Sequence, residues 1–175
     1  GRDRGRPRRG EVEDRLDRLR ERIPGLPLRT TFIVGFPGES EADLAELCDF
    51  VRRQRFAAMG VFAYSPEAGT PATRLPDPVA PEVAEARPDR LMALQQEIAF
   101  AAAAARVGNT VDVLVDGPDA DGRLIGRTAR QAPEVDPVCL LTEDAEVGEV
   151  VSATVLDSAG YDLVVAPLPD ASGER

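Results

Sequence analysis

The clearest candidate for chemistry is the turn Gly35-Phe36-Pro37-Gly38-Glu39, which lies between a predicted strand and a predicted helix. At the carboxyl end of a parallel strand, backbone N–H groups and a helix N-terminus commonly face a ligand. Gly35 and Gly38 allow close approach of the backbone, and Pro37 stiffens the turn. Glu39 would either hydrogen-bond a ligand hydroxyl or amine, or favour the start of the helix. These residues alone favour an ordinary strand–helix turn over a ligand site.

Histidine and paired cysteines are missing, and this limits the chemistry. The chain has no histidine, which excludes a Ser-His-Asp or Cys-His catalytic set within it. Its two cysteines, Cys48 and Cys139, are too far apart in sequence to indicate a disulfide scaffold or a metal motif. Cys48 falls on the apolar face of a predicted helix, so we interpret it as a small core residue. We therefore assign no catalytic residue and no metal ligand.

Charge is distributed unevenly along the chain. The first 22 residues are rich in arginine, whereas residues 107–169 carry twelve acidic residues against three arginines, a net charge of about −9. Such a surface repels nucleic-acid phosphates and attracts a basic protein. Two alternatives stay open at this point. The acidic surface is also what simple solvation produces, and Arg123, Arg127 and Arg130 are compatible with a local RNA patch.

The first half of the chain predicts a βαβ unit that would position the glycine-rich turn. Gly1 to Gly10 reads as a loop, and apolar residues at helical spacing then predict a helix from Glu11 to Ile23. β-branched and aromatic residues predict strands at Leu28–Val34 and Ala57–Tyr64. Ser40, with Asp43 three residues on, predicts the capped start of the helix between them. A strand, a helix and a strand at this spacing imply parallel strands.

The second half predicts a helix followed by a small β-barrel. Ser65 to Pro81 reads as a loop, and the helix after it should have Pro88 at its start or at a kink and end at Gly108-Asn109. Five short strands then follow between turn sequences, which is typical of a closed barrel of the OB-like kind. They are Thr110–Asp116, Leu124–Thr128, Val138–Leu141, Val150–Asp157 and Asp162–Val165. We place the boundary near Val107 and expect a disordered tail at 169–175.

Five sequence segments together carry a family resemblance. LRTTFIVGFPGESEADL, GVFAYSPEAGTPA, DRLMALQQEIA, TVDVLVDG and GYDLV resemble, in this order, the bacterial radical S-adenosylmethionine (SAM) methylthiotransferases of the RimO type. That type methylthiolates an aspartate of the small-subunit ribosomal protein twelve. The sister type, which modifies tRNA, shares the first two patterns but typically has a more basic C-terminal domain. Charge and motifs thus both favour a basic ribosomal protein over tRNA as the partner.

The resemblance implies an α/β plus all-β fold in three parts. Residues 11–80 would form the C-terminal part of a radical-SAM (βα) barrel, 81–107 a connecting helix, and 108–168 a TRAM β-barrel. The implied cofactors are SAM and [4Fe–4S] clusters, which would supply the radical, the sulfur and the methyl group. By analogy, the positions near SAM are Gly35, Phe36, Pro37, Gly38, Glu39, Phe62 and Tyr64. Within the acidic domain we assign substrate docking to Asp116, Asp119, Asp121, Arg123 and Arg127.

One departure from the family decides what this chain does alone. The CxxxCxxC motif, whose thiolates hold a [4Fe–4S] cluster, is absent. We therefore expect the chain to be part of a longer, cytoplasmic protein and to be inactive without the cluster-binding half. The alternatives are a tRNA methylthiotransferase of the sister type and a non-catalytic TRAM-containing binding module. No apolar run approaches the roughly 20 residues of a membrane span, and the N-terminus lacks the features of a secretory signal.

Overall fold

The computed structural model of the protein describes residues 9–169. The elements are α1 (Arg9–Arg22), β1 (Arg29–Val34), α2 (Glu41–Gln54), β2 (Ala58–Ala63), a short 3-10 helix (Pro71–Arg74), α3 (Pro81–Ala104), β3 (Thr110–Pro118), β4 (Leu124–Arg127), β5 (Cys139–Leu141), β6 (Val150–Ala159) and β7 (Asp162–Pro167). The sequence placed the start of α1 two residues late. Most of the predicted N-terminal loop and the predicted tail beyond Pro169 lie outside the described residues.

The first unit is a parallel strand pair covered by helices on one face. β1 and β2 run parallel, with Phe32 opposite Val61. Between them, Ser40 and Asp43 form the predicted capping box of α2: the Ser40 hydroxyl accepts from the Asp43 N–H at 3.2 Å, and the Asp43 carboxylate accepts from the Ser40 N–H at 2.8 Å. This fixes the point at which the chain leaves the glycine-rich turn and enters α2.

Alternation along the strands places one set of side chains in a core. Buried members of this core come from β1, β2, α2 and α3 and include Val34, Leu44, Cys48, Val51, Met59, Leu91, Leu94 and Ile98. Cys48 is 4% exposed, as expected for a small core residue. The opposite face of the strands stays open, because Ile33 and Phe62 are adjacent in register and each is 62% exposed.

Helix α3 connects the two halves of the chain and ends three residues before the predicted end at residue 107. It begins at Pro81, and Pro88 lies inside it rather than at its start. A proline within a helix removes one backbone hydrogen bond and crowds the preceding turn. Here Ala84, Leu91, Leu94 and Ile98 are buried along the helix, so packing on both sides of Pro88 compensates for that loss. No helix among the described residues is both long enough and apolar enough to cross a membrane.

The second unit is a closed five-stranded barrel, as predicted. The strand order is β3-β4-β5-β7-β6, and β6 pairs with β3 to complete the circle. β5 and β7 are parallel, whereas the other neighbours are antiparallel. Alternate side chains fill the interior, among them Val113, Val115, Cys139, Leu141, Ala153, Val155, Leu163 and Val165. Ala103 of α3 packs into the same core, so the connecting helix and the barrel share apolar contacts.

Candidate functional site

The glycine-rich turn packs tightly against helix α3. Gly35 is buried and has a φ of +75°, a region that side chains with a Cβ rarely adopt. A Cβ at Gly35 would lie 2.6 Å from the Cβ of Ala84. Gly38 has a φ of +87°, but a Cβ there would meet no atom within 4 Å. Gly35 is therefore required by close packing as well as by its backbone conformation, whereas Gly38 is required only by conformation.

Glu39 closes the turn and is held by a buried arginine. Its carboxylate oxygen Oε1 accepts from the Gly35 N–H at 3.0 Å and from Nη1 of Arg87 at 2.5 Å. Arg87 also donates to the Glu39 carbonyl oxygen at 3.2 Å, and only 6% of its side chain is exposed. Oε1 of Glu39 is therefore occupied by its contacts with Gly35 and Arg87.

The backbone donors of the turn are mostly satisfied within the protein. Gly38 N–H donates to the carbonyl of Asp77, and Glu39 N–H donates to the carbonyl of Phe36. Gly35 N–H donates to Glu39. The turn therefore cannot present a row of N–H groups to an anion, and its contribution to a ligand site is its shape and its side chains.

The aromatic candidates lie at one end of the strand pair. The rings of Phe36 and Tyr64 meet edge to face, with centroids 4.8 Å apart. The Tyr64 hydroxyl is buried and has no hydrogen-bond partner among the described residues. A buried hydroxyl without a partner is costly, so it marks a place where a further polar group belongs. Phe62 points away from the helix-packed core and is exposed.

The two cofactors that the resemblance implies, the [4Fe–4S] clusters and SAM, can each be compared with the residues present. The cysteines cannot hold an iron–sulfur cluster, because Cys48 is buried in the first core and Cys139 in the barrel core. No group of three or more potential metal ligands occurs in the part of the chain that the structure describes. For SAM, the relevant observations are the Tyr64 hydroxyl without a partner among the described residues and the exposed ring of Phe62.

The predicted docking residues cluster on the hairpin formed by β3 and β4. Arg127 pairs with Asp116. The Asp119 carboxylate accepts from the N–H groups of Asp121 and Arg123, each at 2.9 Å, and so shapes the hairpin turn. Three of the five residues thus have structural partners within the hairpin. The side chains of Asp121 and Arg123 project at its exposed tip.

The acidic character of the barrel is concentrated in another exposed segment. Between β5 and β6, Glu143, Asp144, Glu146 and Glu149 are all exposed, and the segment contains no arginine. Other barrel acids have local partners: Asp112 accepts from Ser152, and Asp162 accepts from the Val138 N–H. The net charge of residues 107–169 includes both groups of acids, and the structure distinguishes them by their partners.

The contact between Arg87 and Glu39 was not predicted from the sequence. The available signal was the position of Arg87, because Ala84, Arg87, Leu91, Leu94 and Ile98 share one helical face. An arginine within an otherwise apolar helical face indicates a buried partner for its charge.

Comparison with known proteins agrees with this architecture. Residues 107–167 match the TRAM domain family, which covers the five-stranded barrel. Over 160 residues, the chain is 48% identical to the ribosomal protein uS12 methylthiotransferase RimO of a Synechococcus species, covering 90% of this chain and 35% of that protein. It is 49% identical over 156 residues to the protein of the same name from Anaeromyxobacter sp. (strain K), covering 87% and 33%. This chain is homologous to the C-terminal part of the RimO methylthiotransferases.

The homology covers both units of the structure. A protein named RimO from a Nostoc species is 46% identical over 160 residues, which is again 90% of this chain. The chain spans about a third of the length of these relatives. At 90% coverage of this chain, the similarity extends from the TRAM barrel into helix α3 and the βαβ unit.

Proposed function

We propose that this chain supplies the last part of a radical SAM enzyme that methylthiolates an aspartate of the small-subunit ribosomal protein uS12. The observation that carries the proposal is the homology, at 45–49% identity, to proteins named for that activity. In this proposal the chain itself has two roles, which are to complete a SAM-binding barrel and to dock the substrate in the cytoplasm.

The open strand pair supports the first role. β1 and β2 pair only with each other within the described residues, so each has an edge without a neighbouring strand. Their exposed face presents Ile33 and Phe62. An unpaired edge and an apolar face are unfavourable in water. Both features are explained if residues 11–80 extend a larger parallel sheet and Ile33 and Phe62 face its interior.

The turn and the aromatic residues would form part of the SAM pocket. We assign Gly35, Phe36, Pro37, Gly38 and Glu39 to its rim, and Phe62 and Tyr64 to its wall. SAM, when bound beside an iron–sulfur cluster, supplies a carbon radical in this enzyme class. This chain holds the geometry of the rim through the Glu39–Arg87 contact and excludes water with its aromatic rings. It lacks the cluster ligands, so we assign it no catalytic residue and expect no turnover from it alone.

The acidic barrel supports the second role. Ribosomal proteins are basic, and an acidic surface attracts such a partner through long-range electrostatics. We assign docking to the β3–β4 hairpin, namely Asp116, Asp119, Asp121, Arg123 and Arg127. In this assignment Asp121 and Arg123 contact the substrate, while the Asp116–Arg127 pair and Asp119 hold the hairpin in shape.

Complementation tests the activity. In a bacterium that lacks its own gene for the uS12 methylthiotransferase, the natural full-length protein should restore the methylthio group on the uS12 aspartate. The mass of the uS12 peptide that contains this aspartate measures the modification. The chain alone should not restore it. Restoration of a methylthio group on tRNA nucleosides instead, with uS12 unmodified, would transfer the assignment to the tRNA-modifying type.

Binding tests the docking role separately. Asp121→Asn in the full-length protein should weaken uS12 binding, and the weakening should diminish at high salt. Glu85→Gln is a matched control, since Glu85 is an exposed acid on α3 and lies outside the barrel. Equal effects of the two variants would argue against docking at the hairpin.

A second function has one observation in its favour. The missing cluster ligands are compatible with a non-catalytic TRAM-containing binding module. The intact mass of the native protein decides between the two. A protein a few hundred residues longer, with a CxxxCxxC peptide in its digest, would support the enzyme, whereas a protein of about this length would support the module.

A further inference from the structure

A large cleft separates the βαβ unit from the TRAM barrel on the side away from the glycine-rich turn. Its volume is about 1120 Å³, slightly above the roughly 300–1,000 Å³ of typical ligand sites. The loop before β1, the end of α2, the last turn of α3 and the β4–β5 connection all contribute to its wall. The cleft therefore exists only where the two units meet.

Four arginines line this cleft. Arg29 comes from β1, Arg55 from the end of α2, Arg106 from the end of α3, and Arg130 from the β4–β5 connection. The acidic residues of the lining are Asp112 and Asp136. The cleft thus carries an excess of positive charge, although the chain as a whole has a net charge of −10.

Within residues 9–169, three of the four arginines have no acidic partner. Asp136 pairs with Arg29, and Asp112 accepts from Ser152. Among residues 9–169, no carboxylate lies within salt-bridge distance of Arg55, Arg106 or Arg130. In a protein with ten more acids than bases, unpaired arginines converging on one cleft require an explanation.

Two of these arginines are close enough to repel one another. Burial lowers the pKa of Arg106, and the positive charge of Arg130 lowers it further. The guanidinium of Arg130 lies against Gly25, where an added Cβ would be 2.4 Å from Nη2. A bound anion would relieve this repulsion and would accept several charge-assisted hydrogen bonds.

We propose that the cleft between the βαβ unit and the TRAM barrel binds a phosphate group through Arg55, Arg106 and Arg130. The guanidinium fork matches the oxygens of a phosphate in pairs. The volume of the cleft leaves room for the organic part of the molecule that carries the phosphate. Tyr161 also lines the cleft, with its ring 4.9 Å from that of Phe100, and offers an apolar surface to that part.

Pyrophosphate binding to the natural full-length protein, measured by isothermal titration calorimetry at low salt, tests the proposal. We expect saturable binding of one pyrophosphate. Arg106→Gln and Arg130→Gln should each weaken it by about tenfold, since each removes a charge-assisted hydrogen bond. Arg74→Gln is the matched control, because Arg74 is exposed and lies outside the cleft. It should leave pyrophosphate affinity unchanged, and thermal unfolding of each variant verifies that it is folded.

Two further ligands identify the source of the phosphate. A mononucleotide that binds at least as tightly as pyrophosphate would indicate a small phosphorylated molecule. A short single-stranded RNA that binds much more tightly, with the same dependence on Arg106 and Arg130, would indicate a nucleic-acid strand. The proposal fails if pyrophosphate does not saturate, if Arg74→Gln weakens binding as much as Arg106→Gln, or if citrate binds as tightly as pyrophosphate.

Discussion

Arg87 of helix α3 donates a hydrogen bond of 2.5 Å to the carboxylate of Glu39, which itself accepts from the N–H of Gly35. This contact ties the turn after β1 to a helix 48 residues further along the chain. The same helix reaches the barrel core through Ala103. The proposed cofactor turn and the TRAM domain are thus connected through one continuous helix.

Loss of Arg87 should destabilise the fold. In Arg87→Met, the Glu39 carboxylate keeps its Gly35 contact but loses a buried positive partner, which typically costs about 3 kcal/mol. Arg90→Met is the control, because the Arg90–Glu41 pair is exposed to solvent and surface pairs of this kind contribute little to stability. Urea denaturation of both variants measures the difference. Equal losses would show that the buried pair contributes no more than the surface pair.

Gly35 should tolerate no side chain. Gly35→Ala combines an unfavourable positive φ with a contact of 2.6 Å to the Ala84 side chain. We therefore expect the free energy of unfolding to fall by about 3 kcal/mol. Gly38 in the same turn also has a positive φ, but a Cβ there would meet no atom within 4 Å. Gly38→Ala should therefore lower the free energy of unfolding by only about 1 kcal/mol. Denaturation midpoints give both values. Ala84→Gly should partly rescue Gly35→Ala and should not rescue Gly38→Ala; a failure to rescue would contradict the packing explanation.

Asp136 should make the stability of the chain sensitive to acid. Burial alone would raise the pKa of Asp136, but hydrogen bonds from Arg29 and from the Ala132 N–H outweigh it and hold the pKa below its usual value. The contribution of Asp136 to the free energy of unfolding is therefore present above pH 3.8, the ordinary pKa of the carboxyl. It is lost as pH falls through the lower pKa that Asp136 has in the folded protein.

Asp136→Asn should flatten that acid dependence. The variant removes the charge that pairs with Arg29 across the two units, so its stability should fall less between pH 5 and about pH 2 than that of the natural protein. Asp112→Asn is the control, since Asp112 lines the same cleft but has a hydroxyl partner instead of an arginine. Urea midpoints across this pH range give the comparison, and parallel curves for the natural protein and Asp136→Asn would refute the assignment.

Much of the fold was predictable because its signals are local. The period of apolar residues predicted α2, and runs of β-branched and aromatic residues predicted both strands of the βαβ unit. The Ser40–Asp43 spacing predicted the capping box. The five barrel strands followed from short β-rich runs between turn sequences. The predicted connecting helix began at residue 81, and α3 begins at Pro81; packing around Ala84 and Leu91 supports the helix across Pro88.

The site was only partly predictable, because contacts distant in sequence decide it. The turn was identified from its glycines, but the use of Glu39 as a partner of Arg87 depends on how α3 lies against β1. The acidic barrel was evident from composition, whereas the arginine-lined cleft draws Arg29, Arg55, Arg106 and Arg130 from four separate segments. Each of them is an ordinary arginine in its own segment, and only the packing of the two units brings them to one surface.

Cys139 should make the stability of the protein decline in alkali. Its side chain is fully buried in the barrel core, and this burial raises the pKa of the thiol to about 11 from an ordinary value of 9.0. The folded state therefore favours the neutral thiol, so the stabilisation is fully present below pH 9 and is lost as pH rises through about 11. Cys139→Ala removes this titration and leaves a constant offset from the small cavity. Urea midpoints between pH 8 and 11 should converge for the two proteins, whereas a constant separation would show that the Cys139 thiol does not titrate with unfolding.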